Sequence, residues 1–238
     1  LNLASYAPLR YVLPHKQAAY DAKYSTEIRG GQSSFRQADR EESLIHLMRV
    51  NVLKRMESSV ASFAFTVGRQ LRDVEATLAR IDAHATEIEE FDIADIEIDD
   101  PAFESLLVGK KIKVLLSDVD LIRWKQDLTE DRNRLATLHS VAQQVSAARD
   151  AKLSALRELI ANKCRNPTNT GNRKVIVFTA FSDTAAYLYE NLADWAKADL
   201  GLESALVTGS AGIKTTLPGL RKTPGTVSVA YTHLTLPT

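Results

Sequence analysis

Leu53, Val60, Val67, Val74 and Ile81 stand seven residues apart, and Gly68 is the only glycine or proline between the first and the last of them. Met56 and Phe63 fill the intermediate seam, while Leu71 and Leu78 widen it. A second series repeats the pattern with Val114, Leu121, Leu128 and Leu135, and Trp124, Leu138 and Val145 complete its seam. A stripe with this period predicts a long amphipathic helix of coiled-coil type. Neither helix can bury its stripe alone, so the pair predicts a long antiparallel hairpin. Gly68 costs up to ~1 kcal/mol relative to alanine inside a helix, which makes close packing at that point the expectation.

The flanking residues set the expected limits. Residues 1–32 show no clear period and run into "RGGQSS", a hinge by its glycines and serines. Ser34 and Gln37 have capping-box spacing, and Asp39, Glu41 and Glu42 suit the positive pole of a helix that starts there. Residues 87–104 carry nine acids and no lysine or arginine, which reads as an acidic connector, and Asp100–Pro101 signals a helix start. "RDAKLSALRELIANK" is a further helical segment, and "CRNPTNTGNR" is a loop.

"KVIVFTAFSDTAAYLYENL" follows. Val175–Phe178 is an unbroken apolar run of the kind found inside parallel sheets. A helix should begin near Ser182 or Asp183, pass Trp195 and stop at Gly201. A second short strand should cover Ala205–Thr208. Strand, helix and strand within this length predict a right-handed βαβ unit. The expected fold class is α/β, a long antiparallel helical hairpin followed by a parallel βαβ unit.

Composition narrows the function. The 238 residues hold 30 Lys plus Arg against 30 Asp plus Glu, so any polyanion contact must come from a local patch. No apolar run approaches the ~20 residues of a membrane helix, and no signal-peptide pattern opens the chain. The lone Cys164 leaves no internal disulfide and no zinc or iron–sulfur ligand set. A cytoplasmic protein is the expectation. His15, His46, His84 and His139 lack metal-ligand spacing, and nothing groups the serines, histidines and aspartates into a nucleophilic triad. "TGSAGIKTT" superficially suggests a phosphate loop. However, Lys214 does not follow a glycine directly, so a plain turn is the better reading. Arg49, Lys54 and Arg55 offer phosphate contacts or, more simply, a solvated helix face with internal pairs.

Two stretches resemble one family. "RKVIVFTAFSDTAAYLYENL…LESALVTGS" resembles the start of the second RecA-like domain of superfamily-II helicases of the Swi/Snf type. "FRQADREESLIHLMRVNVLKRMESSVASF" resembles, more specifically, a helix between the two lobes of bacterial members. The resemblance covers roughly residues 20–222. It implies a truncated RecA-like unit in a fragment of an ATP-dependent DNA helicase or translocase. The phosphate loop and Mg²⁺-binding box would then precede Leu1, and the arginine-bearing motif would lie beyond Thr238. ATP and Mg²⁺ are implied for the parent protein and no cofactor for this chain, which is expected to be inactive alone. DNA is the implied partner. Its contacts would fall at the strand ends, on Thr179, Phe181, Thr208, Gly209 and Ser210. The plain alternative has Thr179 and Ser182 capping a helix and Phe181 filling the core.

The expected organisation is a lead-in over 1–32, the helical hairpin region over 33–162, the start of the second helicase domain over 173–222, and a tail. "SVAYTHLTLPT" reads as translated adapter sequence, so residues 223–238 are expected to be non-native or disordered. Both ends suggest a piece of a longer protein. Two other readings stay open. One is a non-enzymatic coiled-coil interaction protein with a small α/β appendage, and the other is a stand-alone doubly wound nucleotide-binding protein.

Overall fold

In the computed structural model, residues 1–24, 26–27, 34–35, 37–83, 87–89, 113–208 and 213–219 are described. Among them the chain is mostly helical, with short antiparallel strand pairs. The helices are α1 (Pro14–Tyr24), α2 (Gln37–Ser58), α3 (Val60–Asp82), α4 (Leu121–Gln143), α5 (Ala151–Arg165) and α6 (Ser182–Leu200). The strand pairs are β1 (Thr26–Glu27) with β2 (Ser34–Phe35), β3 (Glu87–Glu89) with β4 (Lys113–Leu115), and β5 (Ala205–Leu206) with β6 (Lys214–Thr215). Two compact units result. The first takes residues 1–57 and 63–144, and the second takes residues 58–62 and those from Val145 onward. No helix among the described residues is long and apolar enough to cross a membrane.

The first unit contains the predicted hairpin. A Cβ added at Gly68 on α3 would lie 2.7 Å from His139 Nε2 on α4. The Lys125 ammonium of α4 meets the Asp82 carboxylate of α3 at 2.5 Å. From Gly68 to Asp82 is fourteen residues forward, and from His139 to Lys125 is fourteen back, so the two helices run antiparallel in constant register. Their seam buries Phe63, Val67, Val74, Leu78 and Ile81 on α3, and Trp124, Leu128 and Leu135 on α4. Asp120 caps α4, its side chain accepting the Arg123 backbone N–H at 3.0 Å.

The seam does not extend as one stripe through α2. Helix α2 ends at Ser58, and Ser59 stands as the cap of α3, its hydroxyl facing the Ser62 N–H at 3.5 Å. Across that break the buried face rotates. Helix α2 buries Leu44, Ile45, Met48 and Val52, while Leu53 and Met56 are 56% and 45% exposed. Leu121 and Leu138 of α4 also face outward, and Val145 is half-buried. At the other end of α2, Ser34 belongs to β2 and the helix opens at Gln37, later than the capping-box spacing suggests.

The largest departure from expectation is the lead-in. Residues 3–12 hold two 3₁₀ turns, Ala4–Tyr6 and Pro8–Tyr11, and all of them except the exposed Arg10 are buried. Asp131 of α4, fully buried, accepts the backbone N–H of Asn2 and, at 2.9 Å, that of Ala4. The Trp124 indole N–H donates to Ala4 O at 2.9 Å. Between the two held amides sits Leu3, buried and in the left-handed region at φ 55°. A side-chain-bearing residue there costs of order 1 kcal/mol, so the surrounding hydrogen bonds hold it in place.

Further bonds extend the grip. Tyr6 donates to Asp73 of α3, Tyr11 to Asp127 of α4 at 2.8 Å, and the Leu9 N–H to Glu41 of α2 at 3.1 Å. The Tyr11 ring also stacks on Trp124, with centroids 5.6 Å apart. On α1, the Tyr20 and Tyr24 hydroxyls accept the backbone N–H groups of Leu115 and Lys113, each at 3.0 Å, so α1 occupies one edge of β4.

The hairpin face is open to test. Val67→Asp places a charge in a fully buried seam position and should lower stability by at least ~3 kcal/mol in urea unfolding. Leu53→Asp, on the exposed side of α2, should cost about 0.5 kcal/mol or less. Equal losses in the two variants would contradict the rotated seam.

Candidate nucleic-acid interface

In the second unit, α5 begins at Asp150, whose Oδ1 accepts the Leu153 N–H at 3.0 Å. Its Oδ2 accepts the Tyr187 hydroxyl of α6 at 2.9 Å. One carboxylate therefore caps α5 and fastens α6. Arg157 of α5 donates to Asn191 O at 2.7 Å and lies 5.7 Å from the centre of the Trp195 ring. Helix α6 ends as predicted at Gly201, which takes φ 64°. Its N–H bonds to Lys197 O, and the Leu202 N–H reaches back to Ala196 O at 3.0 Å, a Schellman ending that needs a residue tolerant of positive φ.

The predicted first strand does not form. Residues 174–179 pair with no strand among the described residues, and no hydrogen bond joins Val175, Ile176, Val177 or Phe178 to another described residue. Their exposures are 36%, 55%, 44% and 89% in that order. Strand β5 does form at Ala205–Leu206, but it pairs antiparallel with β6. The parallel βαβ arrangement is thus replaced by an extended segment, a helix and a two-stranded antiparallel pair. A parallel ladder needs a neighbour across a long crossover, whereas antiparallel strands joined by a short loop form locally.

The five residues expected at the strand ends fare differently. Thr179 is half-buried, and its hydroxyl faces the Phe181 N–H at 3.4 Å. Phe181 is buried and occupies the N-cap position of α6 without a side-chain cap bond, so its ring fills the core. Thr208 is half-buried, two residues past β5. Gly209 and Ser210 lie outside the described residues. In the first turn of α6 the Asp183 carboxylate accepts the Thr184 N–H at 2.8 Å.

The other candidates take structural places. Lys214 and Thr215 form β6, with Lys214 3.6 Å from Glu190 and the Thr215 hydroxyl donating to Ser204 O at 3.0 Å. In the first unit, Arg49 bonds to Leu1 O and buried Arg55 bonds to Asn51 at 3.0 Å, while Lys54 is exposed. Among the described residues, no group of three His, Cys, Asp or Glu side chains is placed to hold a metal ion.

Sequence reasoning missed one polar cluster. Thr184, in the first turn of α6, is buried with its hydroxyl 2.6 Å from Ser62 and 3.1 Å from Ser58. The adjacent serines at 58 and 59 were the available signal, since paired hydroxyls inside a helical pattern favour a break.

No protein-family model matches the chain, no curated protein matches it, and no solved structure matches it.

The Tyr187–Asp150 bond carries a pH signature. Burial, and then the Asp150 carboxylate, push the Tyr187 hydroxyl up to about 12. A raised folded value gives stability that is complete below the unfolded value of about 10 and is lost as pH climbs through the folded one. The melting-temperature gap between the wild type and Tyr187→Phe should therefore be widest below pH ~10 and close by about pH 12. A gap that stays constant through that range would show that the bond does not couple to folding.

Proposed function

We propose that this chain is part of an ATP-dependent DNA helicase or translocase of the Swi/Snf type, from the helical region between lobes to the start of the second RecA-like domain. The sequence resemblance supplies the family. The observation that best supports it is the state of Val175–Phe178: extended, apolar, exposed and without a hydrogen-bonded neighbour among the described residues. A run built for a sheet interior, followed by a well-terminated helix, fits a sheet whose remaining strands come from elsewhere in a parent protein. The parent would work in the cytoplasm and act on DNA.

The chain's own residues do not fit an ATP site. In the Gly212-Ile213-Lys214 run the lysine does not follow a glycine directly, and the run ends in β6, where Lys214 faces Glu190. ATP and Mg²⁺ therefore belong to the parent. Of the proposed DNA contacts, Thr179 and Thr208 are half-buried and can present hydroxyls to phosphates, whereas the Phe181 ring is committed to packing. The coiled-coil reading draws support from Leu53 and Met56, one turn apart and exposed on α2.

The DNA encoding this chain decides between them. An upstream phosphate loop and acidic box in the same reading frame are expected, together with no ATP turnover by the purified chain, with or without DNA. An initiation codon close to Leu1 and no upstream motifs, or metal-dependent ATPase activity in this chain, would overturn the reading.

A further inference from the structure

The loop between α5 and the extended segment gathers cations at its neck. Lys163 and Arg165 lie in the last turn of α5, and Arg173 and Lys174 lie where the chain returns. Two bonds close the neck. The Lys163 ammonium donates to Asn172 O at 3.4 Å, and the Cys164 thiol approaches Arg173 O at 3.6 Å. The Asn172 N–H donates to Asn169 O at 2.9 Å, and the Asn172 side chain accepts the Lys174 N–H at 3.1 Å, which shapes the turn. Two pairs of positive side chains, eight residues apart in sequence at their nearest, are thereby held at one end of α5.

None of the four makes an ion pair with a described carboxylate. Lys197, near the end of α6, differs in that it pairs with Glu203 at 3.0 Å. Helix-end electrostatics account for part of the cluster. Last-turn cations complement the negative pole of α5, and Arg173 donates to Leu200 O near the end of α6. Each of these bonds uses one donor of a side chain that has several. The loop between the cations is exposed and rich in hydroxyls and amides, among them Thr168 and Asn169. Cations that hold charge, beside short polar groups that fix position, are the chemistry that recognises a phosphodiester backbone without reading bases. In a chain with equal numbers of acids and bases, such a local excess is where a polyanion would dock.

We propose that Lys163, Arg165, Arg173 and Lys174, with the loop they bracket, form a docking site for the phosphate backbone of DNA. The site lies outside the strand-end residues considered above. It rests on the proposed function only for the choice of DNA among phosphodiesters.

Fluorescence anisotropy with a labelled mixed-sequence duplex, over a range of salt concentrations, tests it. Arg165→Gln with Lys174→Gln should weaken binding about tenfold and reduce the slope of log affinity against log salt by about 2, since each lost phosphate contact removes ~0.9. Arg132→Gln with Arg134→Gln, on α4, should stay within about twofold of the wild type. Thermal melting confirms that each variant is folded. If the double variant melts early, Arg165→Glu alone, at an exposed position, should show the same direction of loss.

Wild-type failure to bind the duplex, equal losses from both pairs of substitutions, or unchanged binding in the first pair would each overturn the proposal. So would loss of binding to phosphatidylserine-containing vesicles with duplex binding intact. The helicase reading stands or falls separately, on the upstream reading frame.

Discussion

The Asp131 carboxylate takes the backbone N–H groups of Asn2 and Ala4 inside the first unit, and the placement of the N-terminal segment depends on that grip. Hydrogen bonds to a charged group contribute roughly 1.5–3 kcal/mol each, and a buried partner left alone costs at least as much. Burial pushes the Asp131 carboxyl above its ordinary value, and the N–H donors oppose that rise. The Trp124 indole, one turn and more toward the start of α4, binds the Ala4 carbonyl. Together they clamp both sides of one short segment, and Leu3 keeps its left-handed backbone between them. Tyr6 and Tyr11 then tie the same segment to α3 and α4, so the lead-in acts as a wedge that α2, α3 and α4 share.

How much of this was legible in the sequence depends on the range of the interactions. The seven-residue series located the α3–α4 seam at Val67, Val74, Ile81, Leu128 and Leu135, because helix periodicity is local and one buried face repeats it. Gly68 marked the close approach to His139. The same series misassigned Leu53 and Met56, because the Ser58–Ser59 break changes which face of α2 is buried. The lead-in was illegible, since 3₁₀ turns carry no long period and their partners lie more than a hundred residues away on α4. One clue was present: Asp131 falls on the stripe between Leu128 and Leu135, where an acid needs a partner.

In the second unit the local signals held and the non-local one did not. The Gly201 ending and the α6 helix follow from adjacent residues. The strand at Val175–Phe178 required a neighbour that sequence composition could not supply, and β5 found β6 instead. At the candidate interface, Phe181 proved to be a packing residue. The cationic neck escaped notice because its four charges are split across a loop and become a cluster only when the chain returns to the end of α5. The two units thus differ in kind: one closes its core with long-range polar clamps, while the other leaves an apolar segment uncovered.

Native-state amide hydrogen exchange tests that contrast most directly, because it reports opening free energies along the chain. The Ala4 amide and the Trp124 indole N–H should exchange with the slowest protons of α4, and the amides of Val175–Phe178 should exchange close to the unfolded rate. Fast exchange at Ala4 together with protection across Val175–Phe178 would contradict the account.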